Sequence, residues 1–95
     1  MIKVHYDPGQ MQMTFSGHAE YAAKGEDIVC AAVSTLYNTL KMQKDVHEQL
    51  GYEDDHRMLF STAPRWDGVL FDFVTDGIKA IAEQYPEYVE FTQEQ

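Results

Sequence analysis

Two short segments near the start of the chain alternate apolar and polar side chains, and this alternation restricts the fold more than any other feature. Residues 2–6 and 11–16 each place an apolar residue at every second position, which is typical of half-buried strands. The residues between them are Asp-Pro-Gly-Gln. Pro8 suits the second position of a tight turn and Gly9 accepts the positive φ of the third. The sequence therefore predicts a β-hairpin, with Gly17 ending its second strand.

Two later segments repeat their apolar residues every three or four positions, which is typical of amphipathic helices. The first runs from Asp27 to about Leu50. Asp27 is expected to be its N-cap, because a carboxylate accepts hydrogen bonds from the first turn, and Gly51 suits the position just past its end. The second helix is predicted from Asp67 to Pro86, because proline cannot continue a helix.

Two further strands complete the predicted order of elements. Residues 58–62 form a short apolar run that Pro64 ends, and residues 89–92 alternate apolar and polar side chains. The order is then ββαβαβ. Because the 95 residues are 44% hydrophobic, the chain has enough apolar surface for one core. We expect an α/β fold of the α+β type, in which a small mixed sheet packs with two helices as a single domain over residues 1–95.

The net charge argues against one large class of partners. Sixteen acidic residues against seven Lys and Arg give a charge of −9, which repels the phosphates of nucleic acids. A basic protein is the better partner for such a chain. No apolar run approaches the roughly 20 residues that span a bilayer, and the first residues lack the pattern of a signal peptide. We therefore expect a cytoplasmic protein that binds neither nucleic acid nor membrane.

The single cysteine, Cys30, has no partner for an internal disulfide. If Asp27 is the N-cap, Cys30 occupies the third helical position, where unpaired backbone N–H groups and the helix dipole stabilise a thiolate. His18 follows the second strand, and a strand end and a helix start can meet when hairpin and helix pack together. A thiol beside an imidazole predicts nucleophilic attack on a carbonyl, with N–H groups of the helix start holding the oxyanion.

Other interpretations of these residues stay open on spacing alone. A lone cysteine among apolar helical residues often serves only as a small buried side chain, and a reversibly oxidised thiol is a third interpretation. His47 with Glu48, and His56 beside Asp54 and Asp55, have no diagnostic metal-ligand spacing, and solvated loops account for them. Three aromatic residues are candidates for either core packing or a specificity pocket: Trp66, Phe71 and Phe73.

Residues 17–34 read Gly-His-Ala-Glu-Tyr-Ala-Ala-Lys-Gly-Glu-Asp-Ile-Val-Cys-Ala-Ala-Val-Ser. This stretch resembles the signature of the ribosomal-processing cysteine proteases, the Prp family: Gly-His-Ala, a Gly a few residues on, then Asp-Ile-Val-Cys-Ala-Ala-Val-Ser. Residues 80–89 also resemble the family's closing helix and strand. The resemblance covers nearly the whole chain.

The resemblance implies a cysteine endopeptidase with a His–Cys dyad, here His18 and Cys30. Such enzymes remove a short N-terminal extension from a large-subunit ribosomal protein, cutting after an aromatic pair and before a small residue, as homodimers that use no metal or other cofactor. Four more positions match the family and are candidates for supporting the site: Asp27, Ser34, Gly25 and Gly17. For Asp27, helix capping and orientation of His18 are both open. Alternative functions are a non-catalytic acidic module that binds a basic ribosomal or phage protein, and a prophage-type processing protease with another substrate.

Overall fold

The computed structural model of the protein describes residues 1–23, 27–53 and 55–95. It contains five strands and two helices in the order ββαββαβ, one strand more than predicted. Their bounds are β1 Ile2–Asp7, β2 Gln12–Ser16, α1 Ile28–Lys41, β3 Val46–Leu50, β4 Arg57–Ser61, α2 Pro64–Gln84 and β5 Val89–Gln93. The expected fold class is confirmed.

All five strands form one mixed sheet in the order β3-β4-β2-β1-β5. The β1–β5 pair is parallel and the other pairs are antiparallel. Alternate residues of β1 are buried, and they join apolar residues of both helices in one core. Within that core the rings of Tyr6 and Phe71 stack with centroids 6.0 Å apart, and those of Phe15 and Tyr37 meet edge to face at 5.0 Å.

The predicted hairpin is confirmed, but its turn differs in detail. The positive φ falls on Met11, at 49°, and not on Gly9. The Met11 N–H donates to the Pro8 carbonyl at 3.3 Å, and the Gln10 N–H donates to Asp7 Oδ1 at 3.2 Å. Because the strands pair from Asp7 to Gln12, the loop holds four residues, and its last residue closes the turn.

The first helix is shorter than predicted, since α1 ends at Lys41 and residues 46–50 form β3. The prediction was wrong because Val46 and Leu50 are four positions apart, a spacing that fits one face of a helix and one face of a strand equally well. Pairing with β4 decides between the two, since five residues of β3 align with β4. Gly51 consequently follows a strand, and its N–H donates to the His56 carbonyl at 2.6 Å.

The second helix begins three residues earlier than predicted, at Pro64. Proline is well suited to the first helical position, where its missing N–H costs nothing. The start is secured by Ser61, whose hydroxyl donates to Asp67 Oδ2 at 2.5 Å and accepts from the Ala63 N–H at 2.9 Å. At the other end the helix stops at Gln84, just before Pro86, as expected.

Two of the three candidate aromatic residues lie on the surface of α2. Phe71 is buried, whereas Phe73 is 74% exposed and Trp66 is 78% exposed. Core packing of Phe73 was the wrong interpretation, because two positions along a helix turn a side chain by about 200°, so residues 71 and 73 cannot face the same core. No helix in the described part of the chain is long and apolar enough to cross a membrane.

Candidate active site

Gly17 determines how the chain leaves β2 on its way to His18. Its φ is +79°, and a Cβ at this position would lie 2.2 Å from the carbonyl oxygen of Met1. Only glycine combines this backbone conformation with so close an approach. The chain can therefore turn beside the start of β1 and present His18 with its side chain 65% exposed.

Asp27 is the N-cap of α1, as expected. Its Oδ1 accepts from the Cys30 N–H at 2.8 Å, while Oδ2 accepts from the N–H groups of Tyr21 at 3.0 Å and Ala22 at 3.4 Å. Burial alone would raise the pKa of Asp27, but these backbone donors outweigh it and hold the pKa below its usual value. The carboxylate thus fastens the connector after β2 to the start of the helix.

Cys30 stands at the third position of α1, as expected, and is partly buried. We predicted that N–H groups of the helix start hold the oxyanion, but two of them, those of Cys30 and Ala31, already donate hydrogen bonds within the protein. The Cys30 N–H donates to the Asp27 side chain, and the Ala31 N–H donates to the Asp27 carbonyl at 3.0 Å. The helix start therefore offers an oxyanion its positive dipole end, whereas these two N–H groups stabilise the cap.

Two clefts meet at Cys30. The inner cleft, of about 400 Å³, has an apolar floor that includes Phe15 and Val33. The outer cleft, of about 600 Å³, lies along the connector and the first turn of α1. Among the described residues, the three that line both clefts are His18, Cys30 and Ser34. Strand end and helix start thus come together around the only cysteine of the chain.

Of the supporting candidates, Ser34 lies one helical turn after Cys30 and shares both clefts with it. Gly17 lines the inner cleft, and Asp27 lines the outer one. Gly25 lies outside the described residues. The Asp27 carboxylate accepts hydrogen bonds from backbone N–H groups, as capping requires. The His18 ring is hydrogen-bonded to another carboxylate, that of Asp55.

Asp55 is the residue at this site that sequence reasoning missed. Nε2 of His18 is hydrogen-bonded to Oδ2 of Asp55, and both side chains line the inner cleft. Asp55 belongs to the loop between β3 and β4, which was expected to be merely solvated. The contact depends on the register in which β2 pairs with β4, and no pattern within either segment predicts that register.

The inner cleft has a polar side formed by Tyr37, Asn38 and Arg57. The Tyr37 side chain is buried, and its hydroxyl has no hydrogen-bond partner among the described residues. The Arg57 guanidinium lies 5.7 Å from the centre of the Tyr37 ring. Arg57 also forms an ion pair with Glu48 at 3.6 Å, and Glu48 pairs with Lys41 at 2.7 Å.

The weaker metal interpretation gains no support from the geometry. The Glu48 carboxylate is engaged with Lys41 and Arg57, and the His47 ring lies against Phe60 with centroids 5.8 Å apart. Within residues 1–23, 27–53 and 55–95, no group of three or more His, Cys, Asp and Glu side chains could hold a metal ion.

Comparison with known proteins places the chain in a family. The family model described as cysteine protease Prp matches residues 1–90. A Mycoplasma pneumoniae protein named ribosomal processing cysteine protease Prp is 33% identical over an alignment of 90 residues, and the match covers 84% of each protein.

Solved structures are similar over almost the whole chain. The Prp protease of S. aureus, crystallised with a covalently linked product peptide, has a TM-score of 0.80 at 23% identity and covers 99% of this chain and 100% of its own. A Streptococcus mutans protein has a TM-score of 0.68 at 29% identity, covering 98% of this chain and 93% of its own. The match over residues 1–90 and the Mycoplasma relative agree: the chain belongs to the cysteine protease Prp family.

Proposed function

We propose that this protein is a cysteine endopeptidase that removes the N-terminal extension of a large-subunit ribosomal protein, with Cys30 as nucleophile and His18 as acid and base. The single observation that carries the proposal is the meeting of the two clefts at His18, Cys30 and Ser34. An extended peptide lying through both clefts would pass its scissile bond over the thiol. One domain, residues 1–95, carries this activity, and the mechanism needs no cofactor.

The proposed reaction proceeds through a thioester. His18 accepts the thiol proton, and Sγ of Cys30 forms a bond to the scissile carbonyl carbon. The tetrahedral oxyanion develops near the positive end of α1, which stabilises negative charge. As the C–N bond breaks, the His18 imidazolium protonates the leaving amine. Water, deprotonated by His18, then attacks the thioester, releasing the carboxylate product and restoring the thiol.

The proposed substrate follows from the relatives and from charge. The Mycoplasma relative is named for ribosomal processing, and the S. aureus protease has been crystallised with a substrate peptide. By resemblance to the family, we expect cleavage after an aromatic pair and before a small residue. The charge of −9 attracts a basic ribosomal protein, which increases the rate of encounter without determining the cleavage site.

Intact-mass measurement of candidate precursor proteins after incubation with the enzyme tests the proposal, because it reports cleavage and its position together. We expect loss of the N-terminal extension with wild-type protein and none with Cys30→Ala or His18→Ala. Met42→Ala is a matched control, since Met42 is 82% exposed and lies at the far end of α1. Undiminished turnover by purified Cys30→Ala would refute the mechanism.

The same experiment addresses the alternative functions. Tight binding of a basic precursor without cleavage would favour a non-catalytic acidic module. Cleavage of a phage structural protein, with the ribosomal precursor left intact, would favour a prophage-type processing protease. Either result would replace the proposed substrate, but only the first would remove the proposed activity.

Family resemblance also underlies two proposals about the working form. We propose that the chain acts as a homodimer and in the cytoplasm, where ribosomal proteins are made. Three exposed apolar residues one or two turns apart on α2 are available for a subunit contact: Trp66, Val69 and Phe73. Light scattering at micromolar concentration should give twice the 10.9 kDa chain mass, and Phe73→Asp should lower it. A wild-type monomer at that concentration would refute the dimer.

A further inference from the structure

We propose that Asp55 is a positioning residue for His18, an inference that rests on the proposed function and deepens it. Nε2 of His18 bonds to Oδ2 of Asp55, so the neutral ring carries its proton on Nε2 and keeps the lone pair of Nδ1. That lone pair is what a base needs to accept the Cys30 proton. Asp55 then stabilises the imidazolium that forms, without accepting a proton itself.

The strand register explains why these two residues meet. In the antiparallel β2–β4 pair, Phe15 lies opposite Arg57. Continuing this register by two residues past the end of the ladder places Gly17 opposite Asp55, with His18 one residue further. The contact therefore follows from the pairing of two central strands, although 37 positions separate the two residues.

The loop that carries Asp55 is bonded on both sides of it. The Gly51 N–H donates to the His56 carbonyl at 2.6 Å, and the His56 N–H donates to the Glu53 carbonyl at 3.0 Å. Asp55 itself has a φ of +50°, a conformation that Asp and Asn tolerate better than most residues. Hydrogen bonds thus close the turn around Asp55, and the backbone conformation there is one that aspartate tolerates.

Asp55 is the one described residue within ion-pairing distance of the His18 ring. The other titratable or charged groups lining the clefts around this ring are the N-terminus at Met1, Lys3, Glu20, Asp27, Cys30, Tyr37 and Arg57. The side chains of the pair are 65% and 62% exposed, and exposed ion pairs contribute little to stability. Loss of Asp55 should therefore change the chemistry of the thiol far more than the stability of the fold.

Two variants separate the charge of Asp55 from its hydrogen bond. Asp55→Asn keeps an accepting oxygen and tolerates the positive φ, whereas Asp55→Gly keeps the backbone conformation and removes the side chain. Asp76→Asn is the matched control, because Asp76 is an exposed aspartate of α2 outside the clefts. Each protein is alkylated with iodoacetamide at pH 6 and at pH 9, and its kcat, KM and melting temperature are measured.

Alkylation requires the thiolate. On this proposal, an exposed thiol at pH 6 relies on proton transfer to an imidazole that Asp55 supports, whereas hydroxide at pH 9 makes that transfer unnecessary. We expect the pH 6 rate to fall about five-fold in Asp55→Gly and roughly two-fold in Asp55→Asn, within the range of an exposed ion pair. The pH 9 rate should not change. kcat should fall in the same order, with KM and melting temperature near wild type.

Folded Asp55 variants with an unchanged ratio of pH 6 to pH 9 rates would overturn the positioning role. A loss of melting temperature that accounts for the whole effect would overturn it too. If the ratio falls in the variants but wild-type protein cleaves no precursor, the positioning role stands and the proposed substrate fails. If wild-type Cys30 is alkylated at pH 6 no faster than in His18→Ala, both the dyad and the role of Asp55 are refuted.

Discussion

Replacing Gly17 by alanine should weaken the fold and the site together. An L-residue at a φ of +79° costs about 1–2 kcal/mol. The added Cβ would lie 2.2 Å from the Met1 carbonyl oxygen, so the backbone must move, and such overpacking costs about 1–3 kcal/mol. We expect the free energy of unfolding to fall by roughly 2–5 kcal/mol, a large part of the ~5–15 kcal/mol of a typical domain.

Urea denaturation followed by circular dichroism measures this loss. With an m-value of about 1–1.5 kcal/mol per molar urea, the midpoint should fall by roughly 1–5 M. Gly9→Ala is the control, because a Cβ there meets only Asp7 Oδ1 at 3.4 Å and the φ of Gly9 is not positive. That change should be neutral or stabilising by up to about 1 kcal/mol.

Gly17→Ala should also slow the reaction of Cys30. Since His18 is the next residue, relief of the Gly17→Ala clash must displace the start of β1 or the imidazole. At temperatures where the variant is still folded, alkylation of Cys30 at pH 6 should therefore slow, and in Gly9→Ala it should not. A Gly17→Ala protein within 0.5 kcal/mol of Gly9→Ala, a margin typical of surface changes, would refute the argument.

Three further changes test the packing around the site. Asp27→Ala removes the cap and should lower the free energy of unfolding by about 1 kcal/mol at pH 7. Because folding lowers the pKa of Asp27, the stabilisation by its carboxylate is lost as the pH falls through the lowered value. The difference in unfolding free energy between wild type and Asp27→Ala should therefore be smaller at pH 3 than at pH 7. Tyr37→Phe removes a buried hydroxyl that no described residue bonds, so thermal melting should show stability unchanged or raised by up to about 1 kcal/mol; a clear loss would reveal a missed partner. Gly77→Ala would place a Cβ 2.8 Å from Cδ1 of Leu36, the end of a side chain that can turn aside, while alanine is better than glycine by about 1 kcal/mol inside a helix. The urea midpoint should therefore stay near that of wild type, and a clear fall would mean that Leu36 cannot move.

The sequence was sufficient to predict an element where its apolar residues fit the period of a helix or of a strand, but not both. The hairpin, the cap at Asp27 and the end of α2 before Pro86 depend on neighbours in sequence, and all three were predicted. β3 was missed because Val46 and Leu50 satisfy a helical and an extended period alike. Only pairing with a strand later in the chain decides that ambiguity, and such pairing leaves no trace within the segment itself.

The residues of the site likewise include some that nearby sequence places and others that distant strand pairing places. Cys30 could be placed at a helix start from Asp27, three residues away, because capping is local. The contact between His18 and Asp55 could not be predicted, since it depends on the register of β2 against β4 and on a loop whose preceding strand was unknown. The turn of the hairpin was also predicted only in part. The loop has four residues, and its positive φ lies at Met11 and not at Gly9 as expected.

The parallel pairing of β1 with β5 affects the order in which parts of the fold can form during synthesis. Ile2 lies opposite Val89, and the Ile2 N–H donates to the Tyr88 carbonyl at 2.8 Å. One edge of β1 thus stays unpaired until residues 89–93 have been made and have docked, and such distant pairing is slow to form. The start of β1 is also the surface against which Gly17 turns towards His18. The surroundings of His18 are therefore complete only after β5 has docked against β1.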